Sequence, residues 1–444
     1  MNLEQYIKEY HSNRSDWFLE EISSVSNQQR IMSVVGKQEY LDGKHKILQS
    51  PSYEWKKQKF EPRKIVLSYA KQLINFSTAY LLQNPVTLTG NERIVKEFQK
   101  IHKKGKYDRI NYKLLSNVTK YGMAAEYVYL NNGVIQSKVI PASESYPIYN
   151  HHNELLAFIQ SYIVDAVSYY TVYSEDKVET YDNLGGDLRM TGTYTNLSGL
   201  PIVYHNENEL SEKEGRSDLD DYLSILDTME ELLSKFTDSI LKFHNPIPVI
   251  KGMQLKDEVL PANIVGAGLV LDDGSEFEMV TNQLDYKSFE VVYKQLLQSL
   301  LDVSSTPAVS MNKTDISNLS EVSIKLLFSL ANIKAGINEQ FMRDGIEQRF
   351  EKIRRLLEYR GVKFSDNNFD SLGIVFTYST PANDKEIIDN LKTLRDMSGI
   401  SLETLLTHNP YINDVQQELN RLRDENSEET VINHEVEDNN SVED

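Results

Sequence analysis

The chain has 444 residues, 40% of them hydrophobic, and a formal net charge of −19, so it is long enough for two or three domains with a substantial core. It contains no cysteine, which excludes a disulfide framework, a cysteine metal site and a cysteine nucleophile. Because proteins that hold DNA by its backbone carry basic surfaces, this charge argues against a conventional DNA-binding domain. It does not argue against a channel through which DNA must slide.

The first 120 residues predict a mostly helical region. The N-terminal segment is charged throughout, without the apolar stretch of a signal peptide. No run approaches the length of a transmembrane helix, so no membrane association is expected. Apolar residues at helical spacing predict an amphipathic helix over 63–83, ended by Asn84 and Pro85, and a shorter helix over 111–121.

From residue 124 the apolar period changes from helical to alternating. Two predicted strands flank an Asn-Asn-Gly turn, which is a hairpin signal. Four more follow, separated by turn residues. The pattern predicts one antiparallel meander over 124–205, with strands at 126–130, 134–140, 157–164, 169–173, 177–181 and 189–194.

Residues 217–243 predict the most regular helix of the chain. Its large apolar residues repeat at spacings of three and four, as on a helix that packs against other helices: Leu219, Tyr222, Leu226, Met229, Leu233, Phe236 and Ile240. Four acids lie on the opposite edge: Asp220, Asp227, Glu231 and Asp238. Ser217 suits the N-cap position. The pattern is equally typical of an ordinary amphipathic helix on a globular core.

A second helix over 285–302 follows a proline- and glycine-containing insertion of about forty residues with short β-type runs at 248–251, 268–271 and 277–280. If the two helices pack antiparallel, the insertion lies at the tip of a projecting hairpin.

The remaining chain alternates exposed and helical stretches. Residues 303–319 are polar and predict an exposed loop. A long helix is expected over 320–360, with Asn318 and Glu321 as its capping box, Gly336 and Gly345 as candidate bends and Gly361 as the residue after its end. A strand over 373–380 and helices over 384–397, 401–407 and 414–425 precede an acidic tail, 427–444, that is expected to be disordered.

Motifs for catalysis are missing from the sequence. No Gly-Lys pair is followed by Ser or Thr as in a P-loop, and neither HExxH nor GxSxG occurs. His151-His152 and Asp272-Asp273-Gly274 are better explained as turns than as metal ligands. We therefore expect no enzyme activity, no cofactor and no bound metal.

Several segments, in this order, resemble the portal proteins of tailed bacteriophages, in particular the siphophage-type family of Gram-positive hosts. They are KIVLSYAKQLINFSTAYLLQNPV at 64–86, YGMAAEYVYL at 121–130, VIPASESYPIY at 139–149, LPIVYHNENELSEKEGRSD at 200–218, FTYSTPANDKEIIDNL at 376–391 and SGISLETLL at 398–406. The likeness spans about residues 40–425.

The resemblance implies an α+β portal fold with a wing, a two-helix stem, a small αβ clip and a helical crown. The wing would be 1–216 with 320–380, the stem 217–243 and 285–302, the clip 244–284 and the crown 382–426. The loop 303–319 would be the tunnel loop beside passing DNA, with these residues in it: Ser305, Thr306, Pro307, Asn312, Lys313, Thr314 and Asp315.

The resemblance also implies a virion protein, assembled in the host cytoplasm. Such proteins form a ring, typically of twelve identical subunits, at one capsid vertex, through which double-stranded DNA is packaged and ejected. The implied partners are the terminase large subunit, a head-completion or adaptor protein, and capsid and scaffold proteins.

Two hypotheses about residues follow from this assignment. The apolar seam of 217–243 would pack on copies of itself, and the four acids would line the channel and repel DNA, which keeps friction low. Lys313 is the best candidate for a transient phosphate contact, although a solvated loop lysine explains it equally well. Two other classes stay open: a nucleic-acid-processing enzyme, which lacks its motifs, and a cytosolic helical scaffold with a tyrosine-rich binding sheet.

Overall fold

The computed structural model describes residues 1–55, 58–211, 213–243, 247–251, 276–280, 286–308, 321–381, 384–412, 415 and 418–425. The chain divides into two compact units, Met1–Pro307 with Leu330–Ser379, and Ala308–Ser329 with Thr380–Asp444. In the described part of the chain, no helix has both the length and the apolar character needed to cross a membrane. The mixture of helices and sheets confirms the α+β class.

The N-terminal part of the first unit is mostly helical, as the sequence predicts. Its elements are α1 (Leu3–Tyr10), α2 (Trp17–Ser23), α3 (Val25–Leu41), a 3₁₀ turn (Lys46–Gln49), β1 (Tyr53–Trp55), β2 (Gln58–Phe60), α4 (Tyr69–Leu82), β3 (Thr87–Thr89), α5 (Glu92–Gly105) and α6 (Tyr107–Tyr121). The helix predicted from residue 63 begins only at Tyr69. Residues 63–67 are extended because their amides bond elsewhere: Ile65 N–H donates to Ser234 Oγ at 3.0 Å and Leu67 N–H to Glu230 Oε1 at 2.8 Å.

The strands of 123–205 form two antiparallel sheets, which corrects the prediction of one meander. The first has the order β11-β4-β5 and the second β10-β9-β8-β7-β6. Their bounds are β4 (Met123–Asn131), β5 (Val134–Ile140), β6 (Ser145–Tyr149), β7 (Leu155–Val164), β8 (Val167–Tyr173), β9 (Lys177–Asp182), β10 (Arg189–Thr195) and β11 (Ile202–His205).

The chain leaves the first sheet at Pro141, which has no N–H to donate to a ladder. A 3₁₀ turn, Ala142–Glu144, follows it. The next strand, β6, was not predicted because it contains Pro147. The structure tolerates this proline because β6 is an edge strand of its sheet.

The predicted helix pair and its insertion are present in the first unit. Helix α7 (Leu219–Phe243) and helix α8 (Tyr286–Val303) flank β12 (Ile247–Lys251) and β13 (Glu276–Val280), which pair antiparallel with Ile247 opposite Val280. The Ser217 hydroxyl accepts the Leu219 N–H at 3.2 Å and starts α7. The strand predicted at 268–271 lies outside the described residues, as does Asn318 of the predicted capping box. We refer to α7, β12, β13 and α8 as the helical hairpin.

The helix predicted over 320–360 is divided. Helix α9 (Glu321–Leu327) ends before Phe328, and α10 (Ser329–Tyr359) follows. Helix α10 is uninterrupted at both glycines that were considered as bends. Glycine is needed at position 345 for packing instead of for a bend. A Cβ there would lie 2.0 Å from the Tyr204 ring, so only glycine lets α10 approach β11 this closely.

The end of α10 and the segment after it follow the prediction only in part. Gly361 adopts a positive φ of 83°, and its N–H donates to Glu358 O, so the predicted helix-ending glycine is confirmed. A short helix α11 (Asp366–Asp370) precedes β14 (Gly373–Val375), which pairs with β3 and is shorter than the predicted strand. In the second unit, α12 (Asp384–Asp396) and α13 (Leu402–Thr407) are close to prediction, and 418–425 is helical. The acidic tail lies outside the described residues.

Candidate functional site

The base of the helical hairpin is part of the core of its own subunit. Four seam residues of α7 are at most 2% exposed: Leu219, Tyr222, Leu226 and Met229. They pack with Tyr40 of α3, with Ala70, Leu73 and Ile74 of α4, and with Leu300 of α8. Burial of one such large side chain contributes roughly 1.5–3 kcal/mol. The first half of the seam is therefore occupied within the subunit.

The distal half of the hairpin is less covered. Leu233 and Phe236 are half-buried, and Ile240 is exposed. The Phe236 ring stacks on Phe289 of α8 with centroids 3.8 Å apart. Because Phe289 lies near the start of α8 while Leu300, near its end, meets the base of α7, the two helices run antiparallel. This is the condition under which the insertion lies at the tip of a hairpin.

Helix α8 also carries apolar side chains that its own subunit leaves exposed. Val291 is 67% exposed and Val292 is 47% exposed. Ile240, Val291 and Val292 are thus exposed apolar side chains of the distal half of the hairpin, and we call these three residues the distal apolar surface.

Two of the four predicted channel-lining acids contact their own chain. Asp220 pairs with the buried Lys37 at 3.0 Å. Both carboxylate oxygens of Asp238 accept the backbone N–H of Arg63 at 3.1 Å. Glu231 is 56% exposed and pairs with Lys235 one turn along the same helix. Their role in a channel stays a prediction.

The fourth acid, Asp227, is half-buried and belongs to a cluster that sequence reasoning missed. Glu230, three residues further along α7, is fully buried, and its Oε1 lies 2.6 Å from His45 Nδ1. The same Oε1 accepts the Leu67 N–H at 2.8 Å. The imidazole of His45 stacks on the Tyr40 ring with centroids 3.9 Å apart.

Burial raises the pKa of both carboxyl groups in this cluster. For Glu230 the Leu67 N–H and His45 oppose the increase. For Asp227 the charges of Lys46 and His45 oppose it. The signal available in the sequence was a glutamate beside the apolar seam, but its histidine partner lies 185 residues away, which no local pattern reveals.

The cluster lies beside an open cleft of about 520 Å³. Asp227 and Glu231 of α7 line one wall of the cleft, and Lys46 and Ile47 of the 3₁₀ turn line another. This cleft is therefore on the acidic edge of α7.

The start of the predicted tunnel loop is ordered by a Schellman motif. Ser305 has a positive φ of 53°, its N–H donates to Asp302 O at 3.1 Å, and the Thr306 N–H donates to Leu301 O at 2.9 Å. Pro307 follows in the described part of the chain. The other predicted loop residues, Asn312, Lys313, Thr314 and Asp315, lie outside the described residues.

A second buried charge holds α10 against the first sheet. The Arg349 Nε donates to both oxygens of Glu126 at 2.9 Å, Nη1 donates to Asn111 Oδ1 at 2.7 Å and Nη2 to Tyr204 Oη at 3.2 Å. Arg349 and Glu126 are both 0% exposed. Burial alone would lower the pKa of Arg349, but the charges of Glu126 and Tyr204 outweigh burial and raise it.

Burial and the charge of Arg349 lower the pKa of the neighbouring His102 to about 3. That imidazole is therefore neutral at physiological pH. Within the described residues, no group of three or more histidine, aspartate or glutamate side chains is placed to hold a metal ion.

The chain resembles known proteins in sequence and in structure. It is 22% identical over 389 residues to the portal protein of Bacillus phage SPP1, which covers 81% of this chain and 75% of that protein. Solved structures with a similar fold include the neck of an empty GTA particle computed with C6 symmetry (TM-score 0.47, 9% identity, 75% of this chain and 87% of that chain). The neck of a native GTA particle computed with C12 symmetry gives a TM-score of 0.45 at 11% identity, over 76% of this chain and 88% of that chain.

Both TM-scores lie below 0.5, so these two likenesses add nothing to the assignment. The family model described as "Phage portal protein, SPP1 Gp6-like" matches residues 28–431, which is most of the sequence. The chain therefore belongs to this family of phage portal proteins.

Proposed function

We propose that twelve copies of this chain form a ring at one capsid vertex of a virion, and that the ring is the conduit for DNA packaging and ejection. The observation that carries the proposal is the family match over 28–431, together with a hairpin whose base is buried and whose distal half carries exposed apolar side chains. In this proposal the chain is structural and has no catalysis of its own. The family match leaves the alternative, a cytosolic helical scaffold with a tyrosine-rich binding sheet, without an observation in its favour.

In the ring, α7 and α8 form the stem, and neighbouring copies pack through the distal apolar surface. This modifies the hypothesis that the whole seam of α7 packs on copies of itself, since the basal seam residues are already covered by their own subunit. An apolar strip that is exposed on one subunit is what a closed ring of identical contacts buries.

The acidic edge of α7 faces the channel in this proposal. Glu231 is the most exposed of the four acids, at 56% against 38% for Asp220, while Asp227 and Asp238 are half-buried. DNA carries one charge per roughly 1.7 Å of its axis, so carboxylates on the wall repel it and limit sticking. Lys313 supplies a transient phosphate contact from the tunnel loop.

The partners proposed for this chain are those expected for a phage portal protein. The terminase large subunit docks at the clip, 244–284, during packaging, and a head-completion or adaptor protein replaces it afterwards. Capsid and scaffold proteins surround the wing, and assembly takes place in the host cytoplasm.

The test of the ring is size-exclusion chromatography with light scattering and negative-stain imaging of the full chain. We expect a ring with a central hole. Val291→Asp, together with Val292→Asp, places charge on the distal apolar surface and should release monomers. The matched control is Val25→Asp on α3, where valine is 73% exposed and the ring should persist. A wild-type chain that stays monomeric at high concentration would contradict the proposal.

The channel lining is tested separately, by DNA packaging with all four acids changed to Asn or Gln. We expect slower transit or reduced retention of DNA. Asp221→Asn removes a carboxylate of α7 outside this set and should leave packaging unchanged. Unaltered transit in the fourfold variant would show that these acids do not act on DNA.

A further inference from the structure

Three buried oxygen atoms on α3 and α7 have no hydrogen-bond partner in the described structure. They are the Tyr40 hydroxyl, Asp227 Oδ1 and Glu230 Oε2. Tyr40 is 8% exposed and Glu230 is 0% exposed. Burial, and then the charges of Glu230 and Asp227, raise the pKa of the Tyr40 hydroxyl, which places both carboxylates within electrostatic range of it.

Such an arrangement is unfavourable unless something fills it. An unsatisfied buried polar group destabilises the folded state, and it does so more strongly when it is charged. The other oxygen of Glu230 is already used by His45 and by the Leu67 N–H, so those two donors do not relieve Oε2. By contrast, in the other buried glutamate, Glu126, both oxygens accept hydrogen bonds.

The chemistry of the three groups suits a hard cation. Asp227 and Glu230 are three residues apart on one helix, so their side chains are neighbours on its surface. Carboxylate oxygens are the preferred ligands of Mg²⁺, which is usually held by one or two carboxylates while it keeps several waters. The adjoining cleft of about 520 Å³ has room for those waters.

We propose that Asp227, Glu230 and Tyr40 form a site for one partly hydrated divalent cation, with Mg²⁺ as the physiological ion. Two carboxylates bind the ion directly or through water, and the phenol of Tyr40 completes the protein side of the site. This set is smaller than a cluster of three acidic or histidine ligands, and water from the cleft supplies the remaining ligands. Because Tyr40 belongs to α3 and both acids to α7, the ion ties the base of the helical hairpin to the N-terminal helices.

One alternative occupant is on the same chain. Lys46 lines the cleft, and its positive charge opposes the increase that burial causes in the pKa of Asp227. Its ammonium group could therefore take the place of an ion. The two occupants make opposite predictions. If a divalent ion fills the site, Lys46→Met removes a competing positive charge and tightens Mg²⁺ binding. If Lys46 fills the site, the same change destabilises the protein and creates no tighter Mg²⁺ site.

The experiment is calorimetric titration of MgCl₂ into the full chain after chelator treatment, at constant ionic strength. We expect one saturable site per chain. Asp227→Asn should weaken binding at least tenfold, Tyr40→Phe should weaken it a few-fold, and Lys46→Met should strengthen it. The matched control, Asp221→Asn, removes an acid of the same helix whose partner is Arg216 and should bind Mg²⁺ as the wild type does.

Thermal unfolding gives a second readout that does not depend on detecting heat. At a Mg²⁺ concentration about ten times the Kd, binding should raise the Tm of the wild type by about 3 °C. Asp227→Asn should lose this shift while staying folded, since the new side chain has the same shape. No saturable site, or an equal Tm shift in Asp227→Asn, would overturn the proposal and leave buried water or Lys46 as the occupant.

Discussion

Among the residues that the structure describes, two glutamates are fully buried, and they are held in opposite ways. Both carboxylate oxygens of Glu126 accept the Nε–H of Arg349 at 2.9 Å, and Oε2 also accepts the Tyr204 hydroxyl at 2.7 Å. Glu230 has one oxygen bound by His45 and Leu67 and the other without a partner among the described residues. We call the network of Glu126 closed, because both of its carboxylate oxygens accept hydrogen bonds, and that of Glu230 open. The closed network fixes α10 on its sheet, whereas the open network leaves the contact between α3 and α7 able to respond to an ion or a proton.

The largest expected effect comes from opening the closed network. Arg349→Met leaves Glu126 charged and unpaired inside the core, which should reduce the free energy of unfolding by about 3–5 kcal/mol. The matched control is Arg355→Met, which breaks the half-exposed pair with Glu175 and should change the same quantity by less than about 1 kcal/mol. Urea denaturation followed by circular dichroism measures both. Equal effects of the two variants would show that the buried network is not the stronger contact.

The next largest effect on stability is expected at Gly345, where α10 packs closely on the Tyr204 ring of β11. In Gly345→Ala the added methyl group would lie 2.0 Å from the Tyr204 ring, so we expect a loss of about 1–3 kcal/mol of unfolding free energy. In Gly336→Ala, on the same helix, the nearest atom is 3.7 Å away. The same substitution there should stabilise the protein by about 0.5–1 kcal/mol. Changes of the same sign at the two positions would contradict the packing explanation.

The smallest expected effect is on how the stability of the protein depends on pH. The pKa of Glu230 is raised above its ordinary value of 4.5, so the folded state holds its proton more tightly than the unfolded state does. The stability from this group is therefore complete below about pH 4.5 and is lost as pH rises through the folded-state pKa. Glu230→Gln removes that dependence.

We therefore expect the wild type to lose stability relative to Glu230→Gln as pH rises from about 4.5 towards neutrality in chelated buffer. Urea denaturation at a series of pH values gives the difference between the two proteins. The titratable groups that face Glu230 are His45, Asp227 and Tyr40. A wild type that gains stability relative to the variant over the same range would show that Glu230 is instead stabilised as a carboxylate.

Periodic features were predictable from the sequence. Helix α7 begins and ends within two residues of its predicted bounds, and β12 and β13 flank the insertion where the alternation places them. Both patterns are local, because a helical or an alternating period depends on residues that are close together in the sequence. The portal family was likewise recognised from short segments in order.

Long-range contacts were not predictable in the same way. The extended chain at 63–67 is set by hydrogen bonds to Glu230 and Ser234 on α7, which overrule its helical pattern. The split into two sheets depends on Pro141 and the turn after it rather than on any change of period. The site formed by Tyr40, Asp227 and Glu230 joins residues nearly two hundred positions apart, so no spacing rule could have joined them.

The unequal burial of α7 has a mechanical consequence. A rod that is packed tightly along one half and held by a few hydrogen bonds along the other bends most easily where the tight packing ends. Here the tight packing extends from Leu219 to Met229, and Glu230 is the next residue. A sideways push on the distal end is therefore felt first at Glu230, whose Oε2 accepts no hydrogen bond from the described residues.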